Sequence, residues 1–317
     1  MRIQYALLGI VSALLLLLPV IGDNYLVRFG TFLCLYSSLA MGWNIIGGVT
    51  GYPSFGTAAF FGAGAYAGAI LQIAGAPMAV AWVGAAALVA AAAAVVGVMI
   101  LRLRGHYFAV GSIALVEVAR LVASSWTDMT GGGMGLNVPI LAGGPDYAGA
   151  VFLYSMFVVA ALAFAAALWI DRGSLGFALR CIQQNEDAAN MVGINTTACK
   201  IAAFVLSSVF AGAAGAIYAS WTAYLDPTDA FSILMTLKVP VMAMLGGAGT
   251  MLGPIVGVVA FQTMEELVWS NFLELHHAIL GLIIVGLIFI LPGGLLSLQG
   301  WRRRAGASVK RREVPAE

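Results

Sequence analysis

The stretch Met78–Leu101 reads MAVAWVGAAALVAAAAAVVGVMIL and contains no charged residue. A helix needs about 20 mainly apolar residues to cross the hydrocarbon core of a bilayer. This stretch therefore predicts a membrane-spanning helix. The rest of the chain has the same character, since 62% of its 317 residues are hydrophobic and only 9% are charged. Soluble domains carry roughly 25% charged residues, so we expect an all-α polytopic membrane protein.

Hydropathy along the chain predicts about ten membrane segments. Eight of them are Ala6–Gly22, Gly30–Ile46, Ser54–Ala74, Met78–Leu101, Tyr107–Trp126, Ala150–Ile170, Ile201–Ala223 and Ala278–Leu291. The basic residue Arg2 precedes the first apolar run, as it would in a signal peptide. No small-residue cleavage site follows, so we interpret that run as the first helix.

The apolar stretch Phe231–Met264 is too long for one span and is broken in its middle. The interrupting residues are Gly246, Gly247, Gly249, Gly253 and Pro254. We interpret the stretch as two short helices, Ser232–Leu245 and Met251–Met264. A single broken or re-entrant element is the alternative.

Basic residues predict the orientation, because cytoplasmic loops carry most of the lysine and arginine of membrane proteins. If the N-terminus is inside and the segments alternate, the outer loops receive only Arg28. The inner side receives Arg2, Arg102, Arg104, Arg172, Arg180, Lys200, Arg302, Arg303, Arg304, Lys310, Arg311 and Arg312. We therefore expect both termini in the cytoplasm. The segment Thr127–Gly149 is expected outside, with helix breaks at Gly131 and Gly132.

A polar insert, residues 171–199, interrupts the apolar sequence and falls on the predicted cytoplasmic side. Ser174 can cap a helix start, and Gly193 can end the helix in the left-handed conformation. One helical face then carries Leu175, Leu179, Ile182, Glu186, Ala189 and Val192, all apolar except the glutamate. This pattern predicts a single amphipathic helix. This surface helix is either bound by a soluble partner or lies on the lipid surface.

Charged residues inside membrane segments need a reason, because each costs about 2.5–3.5 kcal/mol on insertion scales. Glu117 and Arg120 lie three apart on one face of a predicted span, so they can pair. The pair either lines or gates a polar pathway or fixes the helix structurally. Lys238 lies inside the segment Ser232–Leu245, where it can reach the outer interface, face the pathway or meet a partner subunit. Glu265 and Glu266 are interpreted as a solvated helix end.

No catalytic machinery is visible in the sequence. The chain lacks a nucleophile–base constellation, a phosphate-binding loop and paired catalytic carboxylates. Cys34, Cys181 and Cys199 show no metal-ligand spacing, and we expect all three to be reduced. The net charge of +1 gives no reason to expect a nucleic-acid partner. Transport against a gradient would need energy from an ion or from another subunit.

Six stretches, in order, resemble motifs of one transporter family. They are Gly51–Tyr66, Arg104–Ala109, Glu117–Arg120, Thr130–Leu136, Asn185–Asn195 and Leu245–Pro254. Over almost its full length the chain resembles the permease subunits of branched-chain amino acid ABC importers, the LivM type. Three positions depart from the residues common in the family: Thr57, Met134 and Lys238.

The resemblance implies a permease domain over residues 1–300 and a basic cytoplasmic tail over residues 301–317. It also implies a bacterial inner-membrane location, a second permease subunit of the LivH type, two ATPase subunits and a periplasmic binding protein. The chain itself would be no enzyme and would hold no cofactor, because the partner ATPases bind the ATP. The insert would be the ATPase-coupling loop, with the contact residues Arg180, Glu186, Asp187, Ala188, Ala189 and Gly193.

Three other functions remain open. The same architecture occurs in importers of urea or short amides. An ion-coupled secondary transporter would suit broken helices and midplane charges, but it has no need of an ATPase-docking insert. A membrane-embedded enzyme is disfavoured because no catalytic cluster is visible.

Overall fold

A computed structural model describes residues 23–271, together with residues 9, 15–19, 281 and 294–295. Among these residues, six helices are long and apolar enough to cross a membrane. The all-α membrane class is therefore confirmed. Most of Ala6–Gly22, nearly all of Ala278–Leu291 and the whole tail 301–317 lie outside the described residues. The total of ten segments and the cytoplasmic termini therefore stay predictions.

The described chain runs through long helices joined by short elements. In order these are α1 (Asn24–Trp43), a π-helix (Asn44–Val49), α2 (Thr57–Ile73), α3 (Met78–Ile100), α4 (His106–Ser125), α5 (Thr127–Thr130), a 3-10 turn (Gly132–Met134), β1 (Leu136–Asn137), α6 (Pro145–Arg172), α7 (Ser174–Gln184), α8 (Glu186–Met191), α9 (Thr196–Thr222), β2 (Tyr224–Leu225), α10 (Pro227–Ala230), α11 (Ile233–Gly246) and α12 (Gly253–Asn271). The two short strands pair antiparallel, with Leu136 opposite Leu225.

Helix α9 lies at the centre and packs against α1, α2, α3 and α6. Its contact with α2 is a backbone contact that only glycine permits. A Cβ added at Gly64 would lie 2.1 Å from the Gly212 carbonyl oxygen, and one at Gly215 would lie 2.0 Å from the Phe61 carbonyl oxygen. Small residues allow such approaches where lipid supplies no hydrophobic drive between helices. These glycines therefore set how closely α2 and α9 cross.

Helices α11 and α12 form an antiparallel hairpin, as the glycine-rich break predicted. A Cβ at Gly246 would lie 1.6 Å from the Gly253 carbonyl oxygen, and one at Gly257 would lie 1.8 Å from the Met242 carbonyl oxygen. Gly247 and Gly249 in the turn have φ of 124° and 75°. Two helices therefore occupy this stretch, as predicted, although α12 continues past Met264 to Asn271. Whether they are two spans or one re-entrant element stays a prediction.

The connections between the helices gather at two ends of the molecule. At one end the polar insert contacts Gly48 and Arg104, Lys200 just after it contacts Leu101, and the hairpin turn contacts Asn44. We call this the insert end. At the opposite end β1 and β2 pair, next to left-handed turns at Gly131 and Gly132. This grouping is the one that alternating membrane segments require.

Candidate coupling site

The polar insert forms two helices rather than the single helix predicted from its pattern. Asn185 separates α7 from α8 with extended backbone angles of φ −162° and ψ 112°. Its side-chain oxygen accepts hydrogen bonds from the backbone N–H groups of Asp187 and Ala188, both at 3.0 Å. Asparagine competes in this way with helical backbone bonds, which makes it a strong N-cap and a poor helix interior. The periodicity gave the correct face but missed this cap.

The two predicted ends of the insert have different outcomes. Gly173, not Ser174, occupies the N-cap position of α7, and Ser174 is the first helical residue. The prediction of a serine cap is therefore wrong. Gly193 has φ of +88°, so the predicted left-handed glycine at the end of the second helix is confirmed.

The apolar stripe of the insert faces the rest of this chain. Leu179, Ile182 and Ala189 are buried in the main hydrophobic core, and Leu175 packs against it. Val192 departs from the stripe and is exposed. The stripe is therefore available neither to lipid nor to a partner protein. Its burial instead fixes the insert on the transmembrane body. Whether a soluble partner contacts the rest of the insert stays a prediction.

The opposite face of the insert is exposed in this chain. Arg180, Asp187 and Ala188 are exposed, and so are the apolar side chains Phe177, Met191 and Val192. Arg180 also pairs with Asp171 at 3.0 Å across the start of the insert. This mixed apolar and charged face is the surface that a soluble protein could contact.

Glu186 points inward from the insert, unlike its neighbour Asp187. Lys200 at the start of α9 pairs with one carboxylate oxygen of Glu186 at 2.6 Å, and the Tyr52 hydroxyl donates to the other. The Lys200 ammonium also donates to the Leu101 carbonyl oxygen at 3.3 Å. Lys200 is only 3% exposed. We call Tyr52, Glu186 and Lys200 the anchor cluster.

The surroundings of the anchor cluster keep Glu186 ionised. Burial raises the pKa of its carboxyl. The hydrogen bonds from Lys200 and Tyr52 and the charges of Lys200 and Arg104 outweigh burial, so the pKa lies below its ordinary value of 4.5. Burial and the bond to Glu186 raise the pKa of the Tyr52 hydroxyl, which therefore stays a donor. The stabilisation from Glu186 is present above its ordinary pKa and is lost as pH falls through the lowered one.

Arg104 contacts the insert from outside the anchor cluster. Its guanidinium lies 3.1 Å from an Asp187 carboxylate oxygen and 3.9 Å from Glu186. Sequence reasoning missed Tyr52, Lys200 and Arg104 as partners of the insert. The one available signal was the glutamate within the apolar stripe, because a buried charge without a partner is too costly. Nothing in the spacing identified which cation it was.

Residues 25–291 match the family described as branched-chain amino acid transport system / permease component. The chain belongs to this family. It is 28% identical over 299 residues to the high-affinity branched-chain amino acid transport system permease protein LivM of Salmonella typhimurium, covering 86% of this chain and 70% of that protein. The Escherichia coli LivM is 27% identical over the same shares. No solved structure matches the chain.

The resemblance drawn from the six motifs is therefore confirmed, and the protein is a multi-pass membrane permease component of a transport system. The roles predicted for individual residues are a separate matter. Glu186 shows why, because a member of a predicted contact motif lies inside the permease. Arg180, Asp187, Ala188 and Gly193 remain predicted contacts for a partner, and Ala189 is buried.

The two charges of α4 form the pair that their spacing predicted. The Arg120 Nε donates to Glu117 Oε2 at 3.0 Å. The Arg120 Nη2 donates to the other carboxylate oxygen, Glu117 Oε1. Their side chains are 33% and 40% exposed, so the described part of the permease does not bury them. The pair therefore faces outward from these residues. Whether it is structural or lines a pathway stays a prediction.

Lys238 has a partner that the sequence did not identify. It pairs with Glu265 across the α11–α12 hairpin, and the Tyr25 hydroxyl donates to the neighbouring Glu266. The interpretation of Glu265 and Glu266 as a solvated helix end is therefore wrong. Both lie within α12, and the pair with Lys238 shows that Glu265 faces α11. The Lys238–Glu265 pair thus joins α11 to α12 at a distance from the hairpin turn.

Metal binding finds no support in the described part of the permease, where no three His, Cys, Asp or Glu side chains group together. Cys34, Cys181 and Cys199 are free thiols, as expected.

Proposed function

We propose that this permease is the transmembrane subunit of an ABC importer. It passes a branched-chain or related amino acid from a periplasmic binding protein into the cytoplasm, across the bacterial inner membrane. Two partner ATPase subunits supply the energy, and a second, LivH-type permease completes the pathway. This chain has no catalytic site and holds no cofactor in the proposal.

One observation supports the proposal most directly. The insert is fixed on the permease by its buried face and leaves a capped helix, α8, with an exposed mixed surface. An independent carrier gains nothing from such a device, whereas a subunit driven by an external ATPase needs a rigid contact surface. The exposed apolar residues Phe177, Met191 and Val192 are suited to a protein interface.

The docking surface is tested by changing that exposed face alone. Met191→Glu with Val192→Glu adds two charges to the surface proposed to bind the ATPases. We expect the variant to insert normally but to lose co-purification of the ATPases and substrate uptake. Because the two side chains are exposed in this chain, folding of the permease itself should change little.

A matched control lies at the opposite end of the molecule. Met134→Glu with Ile140→Glu changes two apolar residues that are 86% and 81% exposed, against 83% and 76% for Met191 and Val192. This control should retain the ATPases. Normal co-purification and uptake in the Met191/Val192 variant would contradict the docking proposal. Uptake by the permease without ATPases, driven by an ion gradient, would instead favour a secondary transporter.

Substrate class is tested with the complete importer in liposomes. Uptake of leucine, isoleucine and valine should be compared with uptake of urea and acetamide, using the importer's own binding protein. Preferential uptake of urea or acetamide would replace the amino acid in the proposal without changing its mechanism.

Orientation is tested by cysteine labelling in a cysteine-free background. A single cysteine replaces Met134 in one variant and Gln184 in another. An impermeant thiol reagent applied to intact cells should label the first and not the second. The reverse pattern would invert the proposed topology.

A further inference from the structure

The burial of Glu186 is not explained by docking. A side chain that pairs with a buried lysine inside the permease is turned away from any ATPase. Apolar residues of similar size would fill such a site without a desolvation penalty. A buried ion pair is best attested where it fixes one arrangement of neighbouring elements. The role of the anchor cluster therefore depends on which elements it connects.

The Lys200 ammonium contacts three segments that are distant in sequence. Besides Glu186 of the insert, it donates to the Tyr52 hydroxyl and to the Leu101 carbonyl oxygen, each at 3.3 Å. It also lies 4.8 Å from the centre of the Tyr52 ring. The insert cannot leave the Tyr52 segment without stranding a buried charge. These segments are therefore expected to move as one unit.

A second contact joins the insert to the π-helix Asn44–Val49. The Gln183 side-chain amide donates to the Gly48 carbonyl oxygen at 3.0 Å. Nearby, a Cβ added at Gly51 would lie only 3.6 Å from the Gln183 Cβ. The insert therefore lies directly against the π-helix that follows α1.

The π-helix in turn contacts the turn of the α11–α12 hairpin. The Asn44 side chain accepts from the Gly249 N–H at 2.7 Å and donates to the Thr250 carbonyl oxygen at 3.0 Å. A Cβ at Gly48 would lie 2.5 Å from the Gly249 nitrogen. Both ends of the Asn44 amide are thus satisfied by the hairpin turn. π-helical turns are frequent at functional sites.

We propose that the anchor cluster and Asn44 are positioning residues that pass movement of the insert to the α11–α12 hairpin. This inference rests on the proposed function, because it assigns the insert to ATPase docking. The connection runs from the insert through the segment 44–56 to the hairpin turn, by contacts between side chains and backbone. In this mechanism Glu186 does not touch the ATPase. It keeps the docking surface rigidly joined to the membrane helices.

The first experiment separates docking from transmission. Lys200→Met and Glu186→Gln are compared with Arg102→Met, which removes an exposed cation at the same end of the permease. In reconstituted importer, the first two variants should keep the bound ATPases and their ATP hydrolysis. Uptake per ATP hydrolysed should fall by about tenfold, the size typical of mutations along a coupling network. Arg102→Met should behave like the parent.

The second experiment replaces the anchor cluster by a covalent tie. Gly51→Cys and Gln183→Cys are introduced together, with Cys34, Cys181 and Cys199 changed to alanine. The Cβ separation of 3.6 Å lies in the disulfide range of about 3.5–4.5 Å. Each sample is measured reduced and oxidised, so the strain of replacing Gly51 is common to both states.

Oxidation should leave uptake unchanged in the Lys200-containing protein and should restore uptake in the Lys200→Met protein. Loss of uptake on oxidation in the first protein would show that the two segments must separate, which overturns the proposal. Failure to restore uptake in the second, with the cross-link formed and the ATPases bound, would overturn it as well. If the ATPases do not bind even the parent, the proposed function fails instead.

Discussion

Two ion pairs of this permease differ in what they connect. Glu186 and Lys200 come from different elements, and their side chains are 13% and 4% exposed. Glu117 and Arg120 are three apart on one helix, with side chains 40% and 33% exposed. The first pair is therefore buried between two elements of this chain and stabilises their contact. The second contributes little to the packing of the described helices and presents both charges outward.

This difference decides what each pair can do. A pair buried between elements fixes their relative position, and losing one partner strands a charge. A pair on one turn of a helix fixes only local side-chain geometry. Charges at membrane depth avoid lipid and face protein or water. The Glu117–Arg120 face is therefore expected to meet another part of the transport system or its aqueous pathway.

The largest effect is expected at Lys200. Lys200→Met leaves Glu186 buried without its cation, which should destabilise the permease by about 3–5 kcal/mol. Adding Glu186→Met should recover much of this loss, because no charge is then stranded. Thermal unfolding in detergent measures both. Equal stability of the parent and the single variant would show that the pair has no greater effect than a surface pair.

A smaller loss is expected at Lys238, whose side chain is 22% exposed and whose partner Glu265 lies across the hairpin. Lys238→Met should destabilise the permease less than Lys200→Met, because the Lys238 and Glu265 side chains are 22% and 21% exposed, against 4% and 13% for Lys200 and Glu186. The double change with Glu265→Gln serves as the control. A loss as large as that at Lys200 would show that the two pairs do not differ as their burial indicates.

The Tyr52 hydroxyl should contribute less again. Tyr52→Phe keeps the ring beside Lys200 and removes one donor to Glu186, so we expect a cost of about 1–3 kcal/mol. Unfolding of this variant should be compared with that of Tyr107→Phe, an exposed tyrosine at the same end of the permease. A larger loss in the Tyr107 control would contradict the role given to Tyr52.

Sequence patterns predicted the membrane helices and the broken hairpin because those features depend on local composition. Apolar length fixes a span, and Gly246, Gly247 and Gly249 fix a turn through their own backbone freedom. The α4 pair was equally predictable, since three-residue spacing brings Glu117 and Arg120 together on any helix.

The partners of Glu186 and Lys238 could not be predicted in the same way. Each pair joins residues whose distance depends on how separate helices pack, namely Lys200 with Glu186 and Lys238 with Glu265. The stripe of the insert was also ambiguous, because an amphipathic face shows that something covers it but not what. Only the three-dimensional structure shows that the permease covers this face itself.

The smallest effect on the stability of this chain is expected at Glu117 and Arg120. Each single alanine variant should leave the stability of the isolated permease close to that of the parent, because solvent-exposed ion pairs contribute little. Assembly or uptake should suffer more, because the two charges face outward from the described helices.

Exchanging them, Glu117→Arg with Arg120→Glu, keeps the pair and reverses its field. A purely structural pair predicts that the exchange recovers both assembly and uptake. A pathway role predicts that assembly recovers while uptake stays low. Single variants that assemble and transport like the parent would show that neither role applies. The α4 pair would then differ from the anchor cluster in burial alone.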